Sequence, residues 1–270
     1  MSRLATTLQD LRALDALAAR STPLARRDAR AKLLVTLCFV VTVLSFDRYR
    51  VAALLPLALF PTVLAAQAEL PARTLWRTLW LACPFALMVG IANPLLDRAP
   101  MLVLAGVELS AGWVSFASIA LRIALSVSAA VVLIGSTGMP ALCAALAALG
   151  LPRVFTVQLL FLHRYLFVLV GEAQRLSTAL DLRALSGRRV GLALHVSLLG
   201  QLLLRAFERA RRVHQAMLAR GFDAELRLAD PQRWQQGDSL FMAGWCAYFV
   251  VVRYVDLPQA IGSFVTGLVQ

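Results

Sequence analysis

The sequence predicts an all-α integral membrane protein with about five transmembrane helices and a cytoplasmic block of three long helices. Of its 270 residues, 60% are hydrophobic and 16% are charged, and the mean hydropathy is +0.73, well above that of a soluble domain of this length. Apolar runs close to spanning length recur between short charged joints. The basic residues, which give a net charge of +12, collect between those runs, as they do in the cytoplasmic loops of membrane proteins. Aromatic residues are sparse among them and no nucleic-acid motif is present, so the expected partner is a lipid bilayer and not nucleic acid.

Residues 1–31 are predicted to form a cytoplasmic amino-terminal segment, and residues 32–137 a four-span transmembrane bundle. Arginines and aspartates are scattered through the first segment, so it lacks the apolar core of a signal peptide and is expected to be retained in the cytoplasm. An apolar strip at 101–109 is too short to cross and is expected to lie at the membrane interface. Spans close to the roughly 20 residues that a bilayer requires are predicted at about 32–46, 51–68, 78–96 and 112–137.

Residues 138–235 are predicted to form the cytoplasmic block, and residues 236–270 a last span and tail. The stretch 154–170 is apolar enough to cross, but a crossing there would move the following arginines outside, against the positive-inside rule. It would also place Arg164 near the bilayer centre, at a cost of about 2.5–3.5 kcal/mol. We therefore expect this stretch to pack on protein or to graze the inner leaflet. Glycine and proline positions predict helices at about 139–149, 152–186 and 190–220, and the last span is predicted at about 240–254.

The third helix of the block is predicted to be amphipathic. Small and apolar residues repeat at helical spacing along one side, and charged residues occupy the other, so one face is expected to pack and the other to meet water or a partner. Glu208 and Arg212 have the favourable i, i+4 order for an ion pair. The apolar positions are Ala206, Ala210, Val213 and Met217, and the charged ones are Arg205, Glu208, Arg209 and Arg212.

The sequence lacks the common catalytic and metal-binding motifs. Its single lysine, Lys32, lies between Ala31 and Leu33, so the chain has no P-loop to bind ATP phosphates. Neither a nucleophile elbow nor a His-Glu-x-x-His zinc pair is present, and the cysteines and histidines lack metal-ligand spacing. We therefore predict no catalytic residue, no cofactor and no metal site in this chain, and expect it not to be an enzyme.

Arg122 is the one ionisable residue predicted deep in a span. Such a residue is a functional hypothesis by default, because its burial must be offset by an inward-facing partner. The alternative is structural: Arg122 snorkels to the interface, or pairs with a neighbouring helix or subunit. No acidic residue in the predicted spans is an obvious partner.

Two helices of the block end with an arginine close to a glycine stop. The second carries Arg183, Ala184 and then Gly187, and the third carries Ala219-Arg220-Gly221. A basic residue in the last turn ordinarily stabilises the negative end of the helix dipole, and glycine is a common cap. The arrangement of an arginine beside a glycine stop recurs on two consecutive cytoplasmic helices, and this favours a docking site for a partner protein. A guanidinium pairs with a partner's carboxylates or carbonyls in a fixed orientation.

These segments resemble a known family, the transmembrane T component of energy-coupling factor (ECF) transporters, and within it the cobalt-type CbiQ group. Residues 202–222 are similar to the family's final coupling helix with its Ala-Arg-Gly signature. Residues 28–34, Asp-Ala-Arg-Ala-Lys-Leu-Leu, resemble its Asp-Pro-Arg-x-Lys motif at the start of the first span, with Ala29 in place of proline. Weaker similarities lie at 135–137 and 150–152.

The resemblance implies a scaffold subunit in the plasma (inner) membrane of a bacterium, with its amino terminus in the cytoplasm. Two cytosolic ATP-binding cassette ATPases would dock on the two helix ends, and a separate membrane subunit would bind the substrate, with cobalt favoured, nickel next and vitamins further off. The implied coupling residues are Arg183, Ala184, Ala219, Arg220 and Gly221.

The first coupling motif departs from the family pattern, and two other function classes stay open. The family has Arg-Gly where this chain has Arg183-Ala184, so Arg188, which follows Gly187, competes for the role. The alternative functions are an integral membrane enzyme with a pocket near Arg122 and His163, and a stand-alone membrane carrier.

Overall fold

The computed structural model describes residues 20, 22–47, 49–93, 100–104, 107–183, 192–222 and 234–254, and it divides into two compact units. The described residues of Leu14–Leu142 and Gln232–Gln270 form one, called here the bundle unit. Those of Cys143–Pro231 belong to the other, called here the paired-helix unit. The helices and strands are α1 (Ala29–Ser45), α2 (Val51–Leu54), a short 3-10 helix (Pro56–Ala58), α3 (Leu59–Gln67), α4 (Ala72–Gly90), β1 (Pro100–Leu104), β2 (Val107–Ser110), α5 (Ala111–Thr137), α6 (Met139–Ala148), α7 (Arg153–Arg183), α8 (Leu192–Leu218) and α9 (Gln236–Tyr254).

The helical class predicted from the sequence is confirmed, with one correction. In the predicted strip, β1 (Pro100–Leu104) pairs antiparallel with β2 (Val107–Ser110), so the described residues are not entirely α-helical. A helix of this length would be marginal alone, and strand pairing satisfies the same backbone donors and acceptors.

Two helices of the described chain are long and apolar enough to cross a membrane, judged by length and composition. They are Ala111–Thr137, which is α5, and the stretch Val154–Leu180 of α7. The predicted second span is present as a shorter apolar helix, Val51–Gln67, interrupted by the 3-10 helix that begins at Pro56. The number of spans, and the placement of 154–170 outside the bilayer, stay predictions.

Aromatic side chains from three helices form the centre of the bundle unit. Phe39 of α1 stacks on Phe60 of α3, with ring centroids 4.5 Å apart. Trp245 and Phe249 of α9 meet the Phe60 ring edge-on, at 4.9 and 5.2 Å. Edge-to-face and offset stacked rings attract one another beyond their buried area. This cluster joins α1, α3 and α9 around the fully buried rings of Phe39 and Phe60.

The paired-helix unit consists mainly of α7 and α8, which contact each other. Its outer surface carries many exposed apolar side chains, among them Leu162, Leu199, Leu203 and Phe207. Apolar exposure on this scale marks a surface that meets lipid or another protein.

Candidate coupling site

The end of α8 is a tight turn that presents Ala219, Arg220 and Gly221 to solvent. The Phe222 N–H donates to the Met217 carbonyl and the Gly221 N–H to the Leu218 carbonyl, each at 3.0 Å. These two bonds define a Schellman motif. Gly221 has φ +76°, a left-handed conformation that strains residues with a Cβ. The glycine of the predicted signature is therefore required by the turn itself.

The Arg220 side chain has no bonding partner among the described residues, so it is available to a partner protein. Its side chain is exposed, and no hydrogen bond or ion pair joins it to another described residue. Because a guanidinium carries five donors and no acceptor, it can bind carboxylates or carbonyls in a defined orientation.

The turn adjoins an apolar groove between α7 and α8. The groove has a volume of about 710 Å³ and is lined from α7 by side chains such as Phe155 and Tyr165. Met217 and Phe222, the two residues joined by the Schellman bond, also line it. The predicted amphipathic face is confirmed, since all four of its apolar positions line the groove: Ala206, Ala210, Val213 and Met217.

The predicted charged face of α8 is largely turned away from the groove, with one exception. Glu208 and Arg212 are exposed and form the predicted ion pair, at 3.7 Å. Arg209 instead lines the groove together with His214. The Arg209 guanidinium thus brings a positive charge to a groove that is lined mostly by apolar side chains.

The second predicted motif is described only at its first residue. Helix α7 ends at Arg183, which places that residue in the last helical turn, as expected. Ala184 and the competing Arg188 lie outside the described residues. The choice between the two arginines therefore stays open.

Glu172 connects the two helices of the paired-helix unit, and sequence reasoning missed it. Its carboxylate on α7 accepts a hydrogen bond from Arg205 of α8, with the nitrogen and oxygen 2.5 Å apart. Arg175, one turn further along α7, lies 3.8 Å from the other carboxylate oxygen. The i, i+3 spacing with Arg175 was visible in the sequence, but the contact to Arg205 depends on how the helices cross.

Arg122 has found a structural partner in the bundle unit. Its guanidinium donates to the backbone carbonyls of Phe46 and Asp47, both at 2.7 Å, and to the Ser118 hydroxyl at 3.3 Å. The last carbonyls of a helix have no intrahelical donor, and Phe46 is the C-cap residue of α1. Arg122 thereby caps the end of α1. The N–H groups that make these bonds are the ones that a substrate would have to bind in the alternative enzyme pocket.

Arg253 of α9 contacts the same segment. It donates to the hydroxyl of Ser45 at 3.2 Å, and its guanidinium carbon lies 5.1 Å from the centre of the Phe46 ring. His163, the other residue of the alternative pocket, belongs to the paired-helix unit and packs edge-on against Phe167.

A buried charged cluster surrounds the start of α1, where the sequence resembles the family's Asp-Pro-Arg-x-Lys motif. The Asp28 carboxylate accepts from the Arg30 N–H at 2.8 Å and so caps the helix. The Asp28 N–H donates to the Asp238 carboxylate of the bundle unit at 3.3 Å. Lys32 donates to the Ser136 carbonyl near the end of α5, at 3.2 Å. Lys32, Asp28 and Asp238 are each no more than 3% exposed.

Metal ligands do not gather within the described residues: no three or more His, Cys, Asp or Glu side chains there lie close enough to hold an ion. The four cysteines are free thiols, and the side chains of Cys38 and Cys246 contact each other. The described part of the chain thus offers an exposed arginine turn and an apolar groove, but no ion-binding cluster.

We expect replacement of Gly221 by alanine to destabilise the turn by about 1–2 kcal/mol, the cost of a left-handed backbone for a residue with a Cβ. Hydrogen exchange at the Phe222 amide should accelerate, because that amide closes the Schellman motif. Gly200→Ala is the matched control: Gly200 lies inside α8 with open space around its Cβ position, so alanine should stabilise the helix there. Equal exchange rates at Phe222 in wild type and Gly221→Ala would contradict the assigned turn.

Comparison with known proteins connects these features to a family. The family model described as cobalt transport protein, CbiQ, matches residues 20–229. The cobalt transport protein CbiQ of Salmonella typhimurium is 30% identical over 122 residues, which cover 41% of this chain and 54% of that protein. The chain thus matches about half the length of that curated relative.

The match includes the α8 turn, the groove and the residues at the start of α1, Asp28 and Lys32 among them. Together with the long apolar helices it indicates a membrane protein. It also confirms the family that the sequence was found to resemble, and its range includes the segments 28–34 and 202–222. Since the family model spans well over half of the sequence, the chain belongs to the cobalt transport protein CbiQ family.

Proposed function

We propose that this chain is the membrane scaffold subunit of an ECF-type importer. It couples ATP hydrolysis by two cytosolic ATP-binding cassette ATPases to uptake of a transition-metal ion through a separate substrate-binding membrane subunit. The chain lies in the bacterial plasma membrane with its amino terminus in the cytoplasm. The observation that carries the proposal is the exposed Arg220 turn at the end of α8, in a chain of the CbiQ family.

The energy source lies outside this chain. The sequence has no P-loop, and its single lysine is buried against the Ser136 carbonyl, where it cannot reach a nucleotide phosphate in solution. ATP hydrolysis by a partner is therefore the simplest source of energy, and the chain itself has no catalytic role.

Arg220 and the groove together suit a protein partner. The arginine supplies orientation through charge-assisted hydrogen bonds, which are about twice as strong as neutral ones. The groove beside it supplies apolar area, which gives most of the affinity in protein association. On this proposal each ATPase receives one arginine-bearing helix end, α8 through Arg220 and α7 through Arg183 or the nearby Arg188.

Cobalt is the first candidate substrate and nickel the second. The Salmonella typhimurium relative is named a cobalt transport protein, and both ions share similar ligand preferences. Since the described residues hold no cluster of ligands, the choice of ion is assigned to the partner membrane subunit.

The experiment is charge reversal at Arg220. Arg220→Glu should abolish most copurification of the ATPases with the tagged chain from its native cells, and should lower uptake of radioactive cobalt at least tenfold. An ATPase site that pairs with the Arg220 guanidinium would face a glutamate carboxylate in the variant, and like charges would repel. Nickel competition in the same uptake assay separates the two candidate ions.

Arg211→Glu is the matched control, because Arg211 is another exposed arginine of α8, about two and a half turns before Arg220. It should keep both copurification and uptake within about twofold of wild type. Unchanged uptake in Arg220→Glu would refute the docking role.

A further inference from the structure

The ion pair between Glu172 and Arg205 is a polar link between α7 and α8. The Glu172 side chain is only 17% exposed, whereas that of Arg205 is 54% exposed. Both carboxylate oxygens are occupied, one by Arg205 of α8 and the other by Arg175 of α7 itself. Glu172 therefore sits between two cations that belong to different helices.

The pair lies well away from both arginine-bearing ends. At a rise of about 1.5 Å per residue, Glu172 is roughly 16 Å from Arg183 along α7, and Arg205 is roughly 22 Å from Arg220 along α8. A contact near the middle of two long helices influences their crossing angle. A small change in that angle displaces the distant helix ends by several ångströms or more.

Apolar packing leaves that angle poorly determined. The two helices enclose a groove of about 710 Å³ rather than a closed seam, and side chains along it such as Leu162, Leu203 and Phe207 are each more than half exposed. Hydrophobic contact is non-directional, so it permits sliding. A short charge-assisted hydrogen bond has a preferred geometry. It therefore fixes the crossing angle and the sliding position of α7 and α8, which the apolar contacts leave open.

We infer that Glu172 is a positioning residue whose ion pair with Arg205 is the pivot of the two coupling helices. The pivot fixes the crossing of α7 and α8, so that movement imposed at one arginine-bearing end is passed to the other. The coupling part of this inference rests on the proposed function. The geometric part, that the pair sets the crossing of the two helices, can be tested without any partner.

The geometric test uses spin labels on the isolated, detergent-solubilised chain. Labels are attached at Leu182→Cys and Leu218→Cys near the two helix ends, after Cys38, Cys83, Cys143 and Cys246 are replaced by alanine. Glu172→Arg should broaden or shift the label-to-label distance distribution, because the introduced guanidinium repels Arg205. The double variant Glu172→Arg/Arg205→Glu should restore a narrow distribution near the original distance. An unchanged distribution in Glu172→Arg overturns the pivot.

The functional test uses the whole complex from native cells. Glu172→Arg should lower cobalt uptake at least fivefold while ATPase copurification stays within about twofold, and the charge-swapped double variant should recover at least half of the uptake. If the ATPases still copurify but uptake is lost, the variant is defective in passing movement between the helix ends. General misfolding would lower both copurification and uptake. Failure of the swap to recover uptake, when the distance distribution is restored, overturns the transmission role.

The pair Glu208–Arg212 supplies the matched control. It has the same charges but lies within α8 and is exposed on both side chains, so Glu208→Arg/Arg212→Glu should change neither the distance distribution nor uptake. The two hypotheses fail differently. If no ATPase copurifies with the unmodified chain, the proposed function is wrong, and the distance measurement still decides the pivot.

Discussion

Lys32→Met is expected to destabilise the bundle unit by about 1–3 kcal/mol, the usual cost of leaving a buried polar group, here the Ser136 carbonyl, without its hydrogen-bond partner. Lys32 is 3% exposed and experiences the negative charges of both Asp28 and Asp238. One Asp28 oxygen is buried without a hydrogen-bond partner among the described residues, so loss of a nearby positive charge leaves this carboxylate less compensated. Methionine keeps the length of the side chain and removes the charge, so the Ser136 carbonyl loses its donor and Asp28 loses a nearby cation, while Arg27 still lies 3.8 Å from the Asp238 carboxylate.

The loss can be measured as the free energy of unfolding in mixed detergent micelles, followed by tryptophan fluorescence. Lys32→Arg, which keeps the charge, should lose clearly less stability. Adding Asp28→Asn to Lys32→Met should recover part of the loss, because asparagine can keep the cap on the Arg30 N–H while it removes the uncompensated charge. If Lys32→Met unfolds at the same detergent fraction as wild type, the cluster does not stabilise the fold.

Phe60→Ala should cost about 3–5 kcal/mol, as for other large-to-small changes at buried aromatic positions. Phe60 is completely buried, and its ring contacts the rings of Phe39, Trp245 and Phe249. In a membrane protein this cost is mainly lost packing, since van der Waals contact drives the association of helices in lipid. The alanine would leave a cavity where α1, α3 and α9 meet.

Phe85→Ala is the control for Phe60→Ala, because Phe85 lies on α4 and is 64% exposed. The same unfolding titration should show a loss for Phe85→Ala several-fold smaller than for Phe60→Ala. Equal losses at the two positions would mean that the aromatic cluster does not hold the bundle unit together.

Features set by neighbouring residues could be predicted from the sequence. The helices of the block, the i, i+4 pair of Glu208 with Arg212, and the turn at Gly221 depend on spacing and on glycine chemistry within a few residues. The apolar face of α8 followed from its helical period, and the structure places that face on the groove.

Features that depend on folding at a distance could not be predicted. Asp238 meets Asp28 across 210 positions of sequence, and Arg205 meets Glu172 across 33. The hairpin at 100–110 was missed because strand pairing, unlike helix formation, is decided by which segment lies alongside. In each case the sequence shows the residue types, but it does not show which distant residues they contact in the fold.

The capping of α1 by Arg122 has a consequence for how this family varies in evolution. The acceptors are the main-chain carbonyls of Phe46 and Asp47, which every amino acid carries. Substitution at those two positions therefore leaves the acceptors in place, and no compensating change at Arg122 is required. Correlated substitution between positions 122 and 46 or 47 should be weak in related sequences, even where the contact is kept, so a search for covarying pairs would overlook it.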